Sequence, residues 1–217
     1  MPNWCSTKIE FTGAFADITD LHDKIIEYTS KELVPSGFGN SWLGNILAGF
    51  GFADRIDNGN DRIRCRGYVE DIADVTNRGD NSSFTVWTET AWIPMVKMWN
   101  TIIEQHYGNR ISIHWIAEEE GYGYYTTNDI GWFGADYYHL FWSIDKADVC
   151  EGDYFNSPDE VANAINDLIA NYELDAKSIT ENDINTAEHN KQDLTLSGDG
   201  WNITCCILAE VSDNDVE

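Results

Sequence analysis

Positive charge is what the second half of this chain lacks. Residues 111–217 hold three lysines, no arginine and 23 Asp/Glu, a net of −20. Residues 1–110 hold ten Lys/Arg against 15 Asp/Glu, a net of −5. From Asp145 to Glu217 the balance is three against 18, or −15. A field of that sign repels nucleic acid and anionic membranes, and it attracts basic surfaces, including those with which proteins hold DNA or RNA.

Other absences narrow the chemistry. No run approaches the ~18–20 apolar residues of a membrane span. The opening MPNWCSTKIEF has no basic region followed by an apolar stretch, so it does not read as a secretory signal. A soluble, cytoplasmic protein is the expectation. The cysteines are odd in number (Cys5, Cys65, Cys150, Cys205, Cys206) and form no CxxC, which argues for reduced thiols. The five histidines form no HxH or HxxxH, so structural zinc is not expected. P-loop, GxSxG, GxGxxG and EF-hand patterns are missing. The expectation is a protein that is not an enzyme and takes no cofactor.

What is present is a foldable sequence. Hydrophobic residues make up 42% and aromatics 13% of 217 residues, enough for a packed core in one large domain or two small ones. Alternation predicts a strand at 7–12, with Ile9 and Phe11 on one side. Ile18, Leu21, Ile25 and Tyr28 place one apolar stripe on a helix at about 16–29. Residues 34–60 read as a long ordered loop with one helical turn at 42–49, pinned by Trp42, Phe50 and Phe52. A strand at 62–69 would set Arg62, Arg64 and Arg66 on one face. Further strands are expected at 84–90 and 111–118. A helix between them covers about 94–107, with Pro94 in its first turn and Gly108 ending it.

That order is β-α-β-β-α-β. It predicts an α+β protein with a ferredoxin-like antiparallel sheet and both helices on one face. Extra strands at 122–128 and 137–145 complete a first domain, 1–145. An acidic α/β extension, 146–217, follows. Its helix begins at Ser157-Pro158-Asp159-Glu160, where Ser caps and Pro sits first. A weaker helix at 180–190 and a hairpin at 193–210, turning at Gly198-Asp199-Gly200, complete it. Residues 211–217 look frayed.

Several clusters have a functional and a plain reading. Asn3-Trp4-Cys5 is a ligand or redox site, or a packing device in which Trp4 covers one sheet end. The three arginines bind phosphate, or neutralise the acidic half. Glu118, Glu119 and Glu120 with Asp129 or Asp136 form a hard-metal site, or a solvated turn. In the aromatic run 122–142, alternation buries about half and leaves Tyr125, Tyr138 and Trp142 as candidates for an exposed patch. The acidic third is a mimic of DNA, a solubility device or an adaptation to high salt. High salt would be expected to acidify both halves.

Three segments resemble the YubB-type ferredoxin-like proteins. Met1-Pro2-Asn3-Trp4-Cys5-Ser6 is similar to their M-[PA]-N-W-C-x-N start, with Thr7 where Asn is usual. Thr90-Ala91-Trp92-Ile93-Pro94 resembles their T-A-W-x-P step into the second helix. Ile113–Tyr125 resembles their strand and E-x-G-x-G-[FY] turn. The likeness covers about residues 1–130 and leaves the acidic third without a counterpart. It implies a fold and an origin on a phage or plasmid, and it implies no reaction.

The composite expectation is an acidic mobile-element protein that inhibits a basic, nucleic-acid-binding host defence complex, of the CRISPR or restriction type. It would contact neither nucleic acid nor membrane, and its oligomeric state stays open. Glu118, Glu119, Glu120, Asp136, Asp145, Asp148, Glu151, Asp153, Asp159, Glu160, Asp167, Glu173 and Asp175 would steer and bind the partner. Tyr125, Tyr138 and Trp142 would anchor it. The alternatives are a metal-dependent hydrolase built on the carboxylates near 118–136, and a non-catalytic oligomerising protein.

Overall fold

The computed structural model describes residues 3–57, 62–119 and 124–212. It is an α+β protein, with two mostly antiparallel sheets and five α-helices among the described residues. The chain divides into two compact units. One comprises 1–119 with 211–217, the other 120–210.

The first unit begins with β1 (Trp4–Gly13), whose residues alternate between buried and half-buried. Cys5, Thr7, Ile9 and Phe11 point into the core. α1 (Phe15–Thr29) buries Ile18, Leu21 and Ile25, the stripe expected from their spacing. Its outer face carries the i,i+4 pairs Lys24–Asp20 at 2.7 Å and Lys31–Glu27 at 2.6 Å. α2 (Leu43–Gly49) follows, then β2 (Gly67–Ile72), β3 (Ser82–Ala91), α3 (Val96–His106) and β4 (Ile111–Glu119). Within the unit the strand order is β4-β1-β3-β2, antiparallel at each pairing. Phe11 lies between a stacked Phe84, 5.1 Å between ring centroids, and an edge-on Trp99 at 5.4 Å. Burying that one side chain contributes roughly 1.5–3 kcal/mol.

The strand expected at 62–69 begins only at Gly67. Ahead of it the backbone groups pair elsewhere: Ile63 N–H donates to the Arg55 carbonyl at 2.8 Å, and the Arg66 carbonyl accepts from Ala91 N–H at 2.8 Å. Burial still alternates, with Ile63 and Cys65 inside and the three arginines outside. Periodicity reported an extended segment and not its hydrogen-bond partners. In the long loop before it, α2 occupies the turn expected at 42–49, and Trp42 and Phe50 are buried as pins. Residues 58–60 of that loop lie outside the described residues.

The second unit holds β5 (Tyr124–Thr127), which pairs in parallel with the short β10 (Ala209–Glu210). The start of the strand expected at 122–128 lies outside the described residues. A four-stranded antiparallel sheet has the order β7-β6-β9-β8, formed by β6 (Tyr138–Ile144), β7 (Val149–Phe155), β8 (Leu194–Gly198) and β9 (Trp201–Ile207). β6, expected to extend the first sheet, is an inner strand of this one. Leu140 and Ile144 join Val161 and Ile165 of α4 (Pro158–Asn171) in a core that also takes Ile184 of α5 (Glu181–His189). The β8–β9 turn is Asp199-Gly200, and Gly200 has φ +72°, a conformation suited to glycine. β7 had no counterpart in the sequence reading, because Glu151, Gly152 and Asp153 break its apolar pattern. Of the frayed tail expected at 211–217, residues 213–217 lie outside the described residues.

Candidate functional site

Unit two carries 18 Asp/Glu and three Lys over residues 120–210. The pairing register decides where they go. Directly opposed residues of an antiparallel pair share a face. Leu140 faces Asp153 and Trp142 faces Glu151, so both carboxylates of β7 lie on the side that packs α4 and α5. The opposite face presents His139, Phe141 and Ser143 from β6, with Cys150, Gly152 and Tyr154 from β7. β8 and β9 add Thr195, Ser197, Asn202, Thr204 and Cys206 to it. The strands contribute no carboxylate to that face. The remaining acids lie on the helices, at the strand ends and in the connections.

The helices that carry them are held firmly. Asn166 of α4 grips residue 179 twice: its Nδ2 donates to the Ile179 carbonyl at 2.7 Å and its Oδ1 accepts from Ile179 N–H at 2.9 Å. α5 opens with a reciprocal cap. Thr180 donates to Asp183 Oδ2 through its N–H at 2.8 Å and its hydroxyl at 2.6 Å, while Asp183 N–H returns a bond to Thr180 Oγ1 at 3.4 Å. Those bonds hold the Asp183 carboxyl below the usual carboxylate range, the side-chain bond from Thr180 first. Tyr138 donates its hydroxyl to Glu188 Oε2 at 2.8 Å. Asp159 and Glu160 stand in the first turn of α4, where the helix dipole favours anions.

Most of the carboxylates expected to meet a partner are solvent-facing. Asp145, Asp148, Glu151, Asp153, Asp159, Glu160, Asp167, Glu173 and Asp175 are exposed. Asp136 is half-buried and accepts from Asn156 Nδ2. Glu118 is half-buried, and Glu120 lies outside the described residues. Glu119 is only 3% exposed and cannot serve as a surface contact. β4 continues to residue 119, so strand alternation turns Glu119 inward with Trp115 and Ala117.

The expected aromatic anchors are also corrected. Tyr125 is 4% exposed and Tyr138 is 3% exposed. Tyr125 packs edge-on to His139 at 5.9 Å and donates its hydroxyl to the Asp136 carbonyl at 2.9 Å. Tyr138 belongs to the core under α4 and α5, and Trp142 packs against it half-buried. Among the described residues, the exposed rings of the run are Trp132 and Tyr137. Alternation shows that half of such a run is buried, but which half depends on the sheet that covers it.

Among the described residues, no three of His, Cys, Asp and Glu come together as a metal ion would need. Cys5 is buried in β1, and burial pushes its thiol up to about 12. A thiol in that state is inert at neutral pH, which weighs against a redox role for Cys5. Nor does Trp4 simply cover a sheet end, since 46% of it is exposed.

Trp4 belongs instead to a cleft in the first unit that the sequence reading missed. The cavity measures about 410 Å³. Its buried base includes Trp42, Cys65 and Ala91, and its exposed walls are Trp4, Phe38, Tyr68 and Trp92. Arg66 and Asp57 are its charged lining residues. Trp4 meets Tyr68 edge-on at 5.6 Å, and Phe38 lies 5.4 Å from Trp42. The loop reaches β2 through a bridge between Trp42 and Tyr68, and Val69 N–H donates to the Ser41 carbonyl at 2.9 Å. Gly67 is required there, because a Cβ would lie 2.3 Å from the Glu89 carbonyl oxygen. The signal was available in N-W-C, T-A-W and the Gly-rich loop, each holding a Trp outside any apolar stripe. Only the fold brings the three together.

Among the described residues, no helix is long and apolar enough to cross a membrane. Comparison of the chain with protein-family models, curated proteins and solved structures finds no match.

Proposed function

We propose that this is an acidic binding protein that occupies the basic nucleic-acid groove of a host defence complex, of the CRISPR or restriction type, and inhibits it by standing in for DNA. The observation that carries the reading is how the second unit divides its acids: Glu151 and Asp153 of β7 lie on the side of the sheet that packs α4 and α5, and the strands add no carboxylate to the other face. Duplex DNA presents one charge per ~1.7 Å of axis. Acidic groups on packed helices, α5 closed by its capping box, offer such a groove negative charge on a fixed frame. Charges held in place attract a basic groove without first being ordered.

The strand order β4-β1-β3-β2, with α1 and α3 in the two crossovers, supports a ferredoxin-like fold for the first unit. Together with the N-W-C and T-A-W-x-P segments it supports kinship with the YubB-type proteins, and through them an origin on a mobile element. The site of action is then the host cytoplasm.

The test is displacement of a labelled duplex from purified CRISPR-type and restriction-type nuclease complexes. The protein is expected to displace it at low ionic strength and much less at high ionic strength. A variant combining Glu160→Gln, Asp167→Asn, Glu173→Gln and Asp175→Asn should displace less at every salt concentration. Displacement that ignores salt and these substitutions, or displacement from none of the complexes, overturns the reading.

A further inference from the structure

We propose that the aromatic cleft of the first unit is a nucleotide site, taking a small ligand with one flat ring and an anionic group. The cavity, about 410 Å³, lies within the ~300–1,000 Å³ typical of ligand pockets. Four aromatic side chains stand in water around it, where burial would be the default for side chains of that size. Their faces suit stacking on a base, an interaction that tolerates any base because each has a π-face.

Two features show that the rings are held in place before any ligand arrives. Trp42 Nε1 donates to the Cys65 carbonyl at 2.6 Å, which fixes the indole and occupies its single donor. Trp42 therefore offers the cleft a ring and nothing polar. Trp92 sits at φ +77°, a left-handed conformation that is costly for a bulky residue. Its N–H donates to the Asn3 carbonyl at 3.0 Å. The neighbouring Thr90 hydroxyl reaches the Cys5 carbonyl at 3.2 Å and the Ile93 carbonyl at 2.9 Å. Backbone strain maintained by such bonds is characteristic of binding sites. Here it aims a 41% exposed indole at the cavity.

Charge selects the class of ligand. Aromatic walls alone would also suit a quaternary ammonium. Arg66, a lining residue whose side chain is exposed, opposes a cation and matches a phosphate, a group that a guanidinium binds through paired hydrogen bonds. Arg62 and Arg64 lie exposed on the same side of the extended segment, because Ile63 and Cys65 between them are buried. Asp57 supplies an acceptor for a sugar hydroxyl or a ring amino group. The net charge of −25 opposes a long strand far more than a single nucleotide.

The experiment titrates the full chain with AMP, CMP, GMP and UMP, read by tryptophan fluorescence and calorimetry. The four corresponding nucleosides and trimethyllysine are the comparison probes. At least one nucleotide should quench saturably, with its nucleoside about tenfold weaker. Arg66→Gln should erase that difference, and Phe38→Ala, at an exposed position that does not threaten the fold, should weaken nucleotide and nucleoside alike. Binding of trimethyllysine with no nucleotide overturns the proposal. So does nucleotide affinity unchanged in Arg66→Gln, or saturable binding by none of the four nucleotides.

Discussion

The indole of Trp42 is hydrogen-bonded to the backbone carbonyl of Cys65 at 2.6 Å. Both groups are buried, and the bond ties the start of α2 to the segment that leads into β2. Trp42→Phe keeps most of the ring and leaves the carbonyl without its donor. The expected loss is about 1–3 kcal/mol, read by urea unfolding. A variant as stable as the parent would show that the bond adds nothing to the fold.

Asn45 is a second internal tie, fully buried in α2. Its Oδ1 accepts from Leu33 N–H at 2.8 Å and Val34 N–H at 3.0 Å. Its Nδ2 donates to the carbonyls of Lys31 at 2.7 Å and Asn40 at 3.0 Å. Asn45→Ala removes the partner of these four groups, and of the Tyr28 carbonyl at 3.4 Å, and should destabilise by at least about 2 kcal/mol. Limited proteolysis should then cut within residues 31–41 much faster than in the parent. Asn45→Asp keeps the acceptor but sets an oxygen against the carbonyls of Lys31 and Asn40 in a buried site, so it should destabilise at least as much as Asn45→Ala, and more as pH rises through the carboxylate range.

The thiols should separate cleanly by reactivity. Burial pushes Cys5, Cys65 and Cys205 up to about 12, and Cys206 is also buried, whereas Cys150 is exposed on β7. Brief alkylation of the native protein at neutral pH should add one label, at Cys150. Intact mass reads the number and peptide mapping the position. Rapid labelling of any second cysteine would contradict the burial.

Two carboxylates should give opposite pH signatures. Hydrogen bonds from Lys24 at 2.7 Å and from the Tyr107 hydroxyl at 2.8 Å hold Asp20 below the usual range, that from Lys24 the larger. Its contribution is present above the unfolded pKa and is lost as pH falls through the folded one. Asp20→Asn should therefore flatten the acid limb of the stability curve. Glu89 is raised, by burial first and then by Glu70 and Glu118. Its folded form holds the proton longer than the unfolded chain, so its contribution is present in acid and lost as pH rises. Glu89→Gln should stabilise the protein at neutral pH and leave it unchanged below the carboxylate range. Thermal melts across pH check both signs.

Salt should stabilise the isolated protein. Residues 120–210 have a net charge of −15, so like charges repel within one unit. Raising ionic strength shortens the screening length from ~30 Å at 0.01 M to ~8 Å at 0.15 M. The melting temperature should rise over that range and then level off. A fall would mean that attractive pairs dominate the acidic unit.

Much of the fold was legible where the signal is local. Ile18, Leu21 and Ile25 marked α1 because a helix of 3.6 residues per turn places them together. Pro158 marked the start of α4, and Asp199-Gly200 the β8–β9 turn, because proline and turn chemistry act within a few residues; Ser157 stands at the N-cap position, but its side chain makes no capping bond. β6 was legible as a strand and not as a member of the second sheet. Its alternation states that one face is buried, and does not name the layer that covers it. The same gap misplaced Tyr125 and Tyr138 as surface anchors and Glu119 as a surface carboxylate.

By itself, the sequence determined the charge asymmetry, the order of elements in the first unit and the periodic stripes of the helices, since composition and local geometry need no partner from elsewhere in the chain. Only the tertiary structure decided which sheet face stays free of carboxylates and which aromatic side chains meet in one cleft. Trp4, Phe38, Trp42, Tyr68 and Trp92 are scattered along the first unit, and strand pairing with loop docking makes them neighbours. Such contacts arise from long-range register, which no local pattern encodes.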